Sequence, residues 1–161
     1  MTDGLRDDDA ELVATLLAVS DVLALELDRR LRAEHGIARF EFAALAALGD
    51  DAYSAITMGD LAMLLNASAS RLSHAMDRLV DRGLVTRIPS ADDRRSVLAT
   101  LTPAGAELLR EAAPTFDGLV GELVLARLDV DGRRALLDAL RGLATGLCRS
   151  HRDDAAASVS P

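Results

Sequence analysis

Ile56-Thr57-Met58-Gly59-Asp60-Leu61 opens the stretch that decides the fold, and the stretch runs on to Thr102. Thr57 stands where an N-cap accepts the amide of Asp60, and Asp60 is placed to reach back to the Thr57 amide. Ile56 and Leu61 have the spacing of a hydrophobic staple. The short helix begun there carries Leu61, Leu64 and Leu65 on one side and breaks at Asn66-Ala67. Ser68 caps a second helix. Its apolar positions are Leu72, Ala75, Met76, Leu79 and Val80, an i, i+3, i+4, i+7, i+8 set. Gly83 ends it, because glycine accepts the left-handed conformation just past a helix. The polar face shows Ser70, Arg71, Ser73, His74, Asp77, Arg78 and Arg82. A short helix, a tight break and a second amphipathic helix have the form of a helix-turn-helix.

Leu84–Ile88 and Ser96–Leu101 follow, both rich in β-branched or apolar residues, around the charged turn Pro89-Ser90-Ala91-Asp92-Asp93-Arg94-Arg95. That is a hairpin, or wing, with a charged tip. Thr102-Pro103 opens another helix, with proline at the first helical position, where its missing donor costs nothing. The second helix of the pair begins with free amides and a positive dipole end, which suit a phosphate neighbour. Ser68 and Ser70 can cap and also meet a phosphate. Arg71 and His74, one turn apart, are placed to reach base edges in a major groove. The bland reading of Arg71, Ser73, His74 and Arg78 is a solvated helix face. The capped helix before them and the wing after them favour DNA contact.

In this order, the motifs resemble the multiple-antibiotic-resistance regulator (MarR) family of bacterial transcription factors. The resemblance rests on Leu61-Ala62-Met63-Leu64-Leu65-Asn66, Ser70-Arg71-Leu72-Ser73-His74, Asp77–Val85 and the wing Asp93–Thr102. It covers closely about a third of the chain. It implies that Asp93 steadies the wing and that Arg94 or Arg95 enters a minor groove. It also implies a homodimer on double-stranded DNA with a near-palindromic operator, most often as a repressor. A small phenolic or other aromatic acid often acts as effector in the family. Phe40, Tyr53, Met63 and Arg29 or Arg30 are the candidates to line such a pocket, and they read equally as core and surface residues. Some family members sense oxidants through cysteine, but Cys148, the one cysteine, is read as buried or idle and excludes an intrachain disulfide.

The 161 residues fit one core domain with arms. Half are hydrophobic, and only Phe40, Phe42, Tyr53 and Phe116 are aromatic, so Leu, Ala and Val must do most of the packing. That composition favours a mainly α chain with a small β wing. The net charge of −8 argues against nucleic acid by itself. Its distribution argues the other way: residues 66–102 hold six arginines against four aspartates, whereas residues 1–53 hold five arginines against 12 acids. All 18 basic residues are arginine, the side chain suited to bidentate contact with phosphate and guanine.

The full expectation is a winged helix-turn-helix between long N- and C-terminal dimerisation helices. Residues 1–9 form a flexible arm, 10–37 the first dimerisation helix, 38–102 the DNA-binding lobe, 103–150 the C-terminal dimerisation helices and 151–161 a flexible tail. Leu12, Leu16, Val19, Leu23, Leu27 and Leu31 give the first helix a stripe that needs a partner. Pro114 predicts a kink near Arg110–Pro114. The scattered His35, His74 and His151 lack metal-ligand spacing, and neither a phosphate loop nor a nucleophile elbow is present. No cofactor, catalytic residue or metal site is expected. No apolar run or leader points to a membrane, so the expected location is the cytoplasm. The competing function is a winged-helix protein-interaction module that does not bind DNA.

Overall fold

The computed structural model describes residues 6–50, 55–89 and 97–157. The expected site residues Tyr53, Asp93, Arg94 and Arg95 lie outside the described residues, as does the side chain of Cys148. The elements run α1 (Asp7–His35), α2 (Arg39–Leu48), β1 (Ile56–Thr57), α3 (Met58–Leu64), α4 (Ala69–Asp81), β2 (Val85–Pro89), β3 (Val97–Leu101), α5 (Pro103–Leu123), a 3₁₀ turn (Leu125–Arg127) and α6 (Val130–Ala157). The chain divides into two compact units, Met1–Leu119 and Val120–Pro161.

In the first unit, Asp7, Asp8 and Asp9 occupy the positive end of α1. Gly36, at φ 67°, ends that helix in the left-handed conformation its lack of a Cβ permits. The next helix starts almost at once, with Ala38 as its N-cap, a residue that has no side-chain acceptor. Two carboxylates take over that task. Glu41 Oε2 accepts the Ala38 amide at 2.8 Å, and Asp28 Oδ1, projecting from α1, accepts the Arg39 amide at 2.8 Å. The free amides of α2 are thus satisfied partly from another helix.

The local signals in the central stretch act largely as read. Thr57 Oγ1 accepts the Asp60 amide at 3.1 Å, and Ser68 Oγ accepts the Arg71 amide at 3.2 Å. One detail differs: the Asp60 carboxylate takes the Thr57 hydroxyl at 2.6 Å instead of the Thr57 amide. The sheet also differs from a simple hairpin. It has three antiparallel strands in the order β1-β3-β2, with Ile56 opposite Ala99 and Val85 opposite Leu101. Ile56, expected only as a staple, is also a strand residue. The core gathers Leu31, Ile37, Leu45, Leu61, Leu72, Met76, Leu79 and Val85, all fully buried. The rings of Phe42 and Phe116 stack at 4.8 Å beside them.

A compact knot joins the end of α4 to α5. Gly83, at φ 69°, lets the chain turn after α4. Thr102 Oγ1 donates to the Gly83 carbonyl at 2.8 Å and accepts the Gly105 amide at 3.0 Å. α5 then continues as one helix through Pro114.

In the second unit, Asp129 Oδ1 accepts the Gly132 amide at 2.8 Å and starts α6. Arg133 donates to the carbonyls of Leu125 and Leu128, and the Leu125 carbonyl also accepts the Leu128 amide that closes the 3₁₀ turn. α6 runs to Ala157, beyond the change in composition near Arg149, because alanine sustains a helix wherever nothing stops it.

Each unit leaves an apolar helix face uncovered. On α1, Leu12, Val13, Leu16, Leu17, Val19, Val22 and Leu25 are exposed, whereas Leu27 and Leu31 are buried. On α6, Leu136, Leu137, Leu140 and Leu143 are exposed. Among the described residues, no helix is long and apolar enough to cross a membrane.

A Cβ at Gly105 would lie 2.1 Å from the Leu84 carbonyl oxygen, while one at Gly118 would meet nothing within 4 Å. Gly105→Ala is therefore expected to destabilise the fold by about 1–3 kcal/mol or more. Gly118→Ala should be neutral or stabilising by roughly 0.5–1 kcal/mol. Urea unfolding of both variants checks the contrast.

Candidate nucleic-acid interface

Helix α4 buries Leu72, Ala75, Met76 and Leu79 and turns the opposite face outward. At 3.6 residues per turn, Ser70, His74, Asp77 and Asp81 form the centre of that face. All four are exposed, as are Ser68 and Ala69 at the start of the helix. The N-terminal amides and the Ser68 and Ser70 hydroxyls therefore stand open to an approaching anion. Ser73 is half-buried.

The arginines do not sit at the centre of the face. Arg71, Arg78 and Arg82, at i, i+7 and i+11, share one flank, and that flank runs along the segment from Gly36 to Glu41. The Arg71 guanidinium lies over the Phe40 ring, 4.4 Å from its centroid. Arg78 Nε donates to Glu41 Oε1 at 2.6 Å. Arg82 Nη1 donates to the Gly36 carbonyl at 2.9 Å. Ala75, between Arg71 and Arg78, is buried and small enough to let α2 come close.

Glu41 is 5% exposed and, among the described residues, is the one buried charged residue. A buried carboxylate requires partners, and it has the Ala38 amide on one oxygen and Arg78 on the other. Arg78, expected simply as a DNA contact, is thus also a structural partner, although 57% of its side chain stays exposed. A fourth arginine, Arg87 on β2, donates from Nη1 to Asp77 at 2.6 Å and from Nη2 to the Ser73 carbonyl at 3.3 Å. Its Nε is buried with no hydrogen-bond partner among the described residues. Arg87 ties the wing sheet to the middle of α4.

Sequence reasoning missed the roles of Glu41, Arg82 and Arg87. Glu41 left a trace: an acid at the third position of a short apolar helix is where a carboxylate reaches back to the N-cap. The two arginine ties left none.

The four expected effector residues that are described each have their own surroundings. Arg29 is paired with Glu26 and Arg30 with Glu34, along α1 itself. Met63 stands in solvent on α3, 74% exposed. The Phe40 ring carries Arg71. Among the described residues, no cluster of His, Cys, Asp or Glu could hold a metal ion.

The helix pair α3–α4, followed by the β2–β3 wing, defines a winged helix-turn-helix. Comparison with known proteins supports that class. The family model described as MarR family matches residues 35–96. AbsC, a MarR family transcriptional regulator from Streptomyces coelicolor, is 30% identical, with a TM-score of 0.84 over 89% of this chain and 97% of that one. Sco3205, a MarR family regulator from the same organism solved in complex with DNA, is also 30% identical, with a TM-score of 0.86 over 89% and 90%. Among curated proteins, the multiple antibiotic resistance protein MarR of Salmonella typhimurium is 36% identical over 56 residues, 35% of this chain and 39% of that protein. The chain thus spans about two-fifths of the length of that curated relative. This chain belongs to the MarR family of transcriptional regulators.

Asp28 supports the site from behind by fixing the start of α2. Burial pushes its carboxyl up, but hydrogen bonds from Arg32 and from the Arg39 amide outweigh that and hold it below the ordinary aspartate value. A lowered folded value contributes stability above the unfolded pKa of about 3.9, lost as pH falls through the folded value. Asp28→Asn should therefore melt below wild type at neutral pH, and the gap should narrow below about pH 4. Thermal melts across that range measure it.

Proposed function

We propose that this protein is a sequence-specific DNA-binding regulator that works as a homodimer, most simply as a repressor. Each subunit lays α4 in a major groove, with its N-terminal turn toward the phosphates. Ser68, Ser70, Arg71, Ser73, His74 and Arg78 make the contacts, and Arg94 or Arg95 from the wing enters the adjacent minor groove, with Asp93 as its scaffold. The observation that carries this reading is the exposed, serine-capped start of α4 with an arginine flank beside it. The DNA-bound structure of Sco3205 supports it.

The uncovered leucine faces of α1 and α6 support pairing with a second copy, since apolar surface of that extent marks an interface. Two-fold symmetry then calls for a near-palindromic operator whose half-sites lie about one helical turn apart. A small phenolic or aromatic acid would act by favouring one spacing of the two reading helices over another. To use the Phe40 ring, such an acid would have to displace the Arg71 guanidinium.

Operator selection from random duplexes supplies the probe for two tests. Arg71→Ala should weaken binding by about 1–3 kcal/mol and relax base preference, while Arg95→Ala should weaken it with less loss of preference. Unchanged gel-shift affinity in both would defeat this docking. Wild-type affinity should also fall steeply with salt through counterion release. A salt-insensitive partner would instead favour a protein-interaction module. In the second test, Val13→Arg together with Leu17→Arg should give a folded monomer by light scattering and circular dichroism, with operator binding lost. A variant that remains dimeric would remove α1 from the interface.

A further inference from the structure

We infer that the first turn of α2 is a positioning device for the reading arginines: Glu41 aims Arg78, and Phe40 aims Arg71. This rests on the DNA-binding reading above and adds two residues that would never touch the duplex.

The two contacts share a property. A guanidinium over an aromatic ring is attracted by the ring's face, and the ring has no lone pair to take a conventional hydrogen bond. At 4.4 Å over Phe40, Arg71 is thus held by a partner that leaves its N–H donors available to an oxygen. Glu41 engages Arg78 through Nε, at 2.6 Å. That leaves the Nη1/Nη2 edge, the fork that meets phosphate or guanine, outside this contact. Each partner fixes a long, flexible side chain and leaves its binding edge available. Neighbouring residues on α2 thus serve two arginines set two turns apart on α4.

The holders are themselves fixed. Glu41 is buried and also accepts the Ala38 amide. Phe40 packs on the core beside it. Asp28 anchors the amide of Arg39, the residue before Phe40, and Arg82 binds the carbonyl of Gly36 where α1 ends. A shift of α1 against α4 would therefore reach both arginines through one short segment.

Double-mutant cycles on the full chain, against a duplex selected from a random pool, test the inference. Glu41→Gln keeps an acceptor for the Ala38 amide and removes the charge facing Arg78. It should weaken binding about tenfold, and it should cost nothing further in an Arg78→Gln background. Phe40→Leu should weaken binding only while Arg71 is present, and Phe40→Tyr, which keeps the ring, should restore it. Nuclear magnetic resonance of the free protein supplies a readout that needs no DNA. The Arg78 Nε–H signal should exchange slowly in wild type and be lost in Glu41→Gln. The Arg71 Cδ protons should lose their ring-current shift in Phe40→Leu but not in Phe40→Tyr. Additive cycles, or intact affinity once those signals are gone, overturn the inference and leave the DNA reading standing. A wild-type protein that captures no duplex at low salt overturns the DNA reading and this inference with it.

Discussion

One buried carboxylate governs the arrangement. Glu41 stands among the buried Phe42, Ala44 and Leu45 of α2, where an uncompensated charge would cost several kcal/mol. It is compensated twice, by a backbone amide of its own helix and by an arginine of α4. Helix α4 is therefore docked on α2 through a contact whose loss would strand a charge. Arg87 fixes it to the sheet through Asp77 and the Ser73 carbonyl. The Thr102–Gly83 bond fixes its C-terminal end to the start of α5. Three different elements thus hold a 13-residue helix whose outer face stays bare.

What the sequence disclosed and what it concealed follow from range. Thr57, Ser68 and Asp129, and Thr102 in its bond to Gly105, act three residues from themselves, and Gly83 acts at its own position, so their residue types announce these roles. The apolar period of α4 likewise names its buried side correctly. By contrast, Glu41 and Arg78 are 37 residues apart, and nothing local tells that arginine from a solvated one. β1 has two residues, too few for alternation to show, and exists because β3 offers it an edge. The helix-turn-helix was legible, and so was which face of α4 turns outward. That its arginines would lie along a flank, against α2, was not. That placement depends on how α2 packs against α4, through contacts far apart in the chain.

The same placement bears on how an acidic chain could hold DNA. With a net charge of −8, the protein has no general attraction for a polyanion to rely on. The local surplus of arginine is itself partly neutralised within the fold, by Glu41 for Arg78 and by Asp77 for Arg87. Non-specific binding should be weak for this reason, and affinity must come from a few well-aimed contacts. Under the proposed function, two physical devices would serve that end. Holding an arginine in advance lowers the entropy lost when it binds. Pairing two subunits, as proposed, would make the second half-site contact intramolecular, so that two modest affinities combine. The uncovered leucine faces on α1 and α6 and the holding turn of α2 would thus answer one requirement by different means. Selectivity would arise from geometry where bulk charge opposes binding, and any change that loosened either the pairing or the aim would weaken specific binding first.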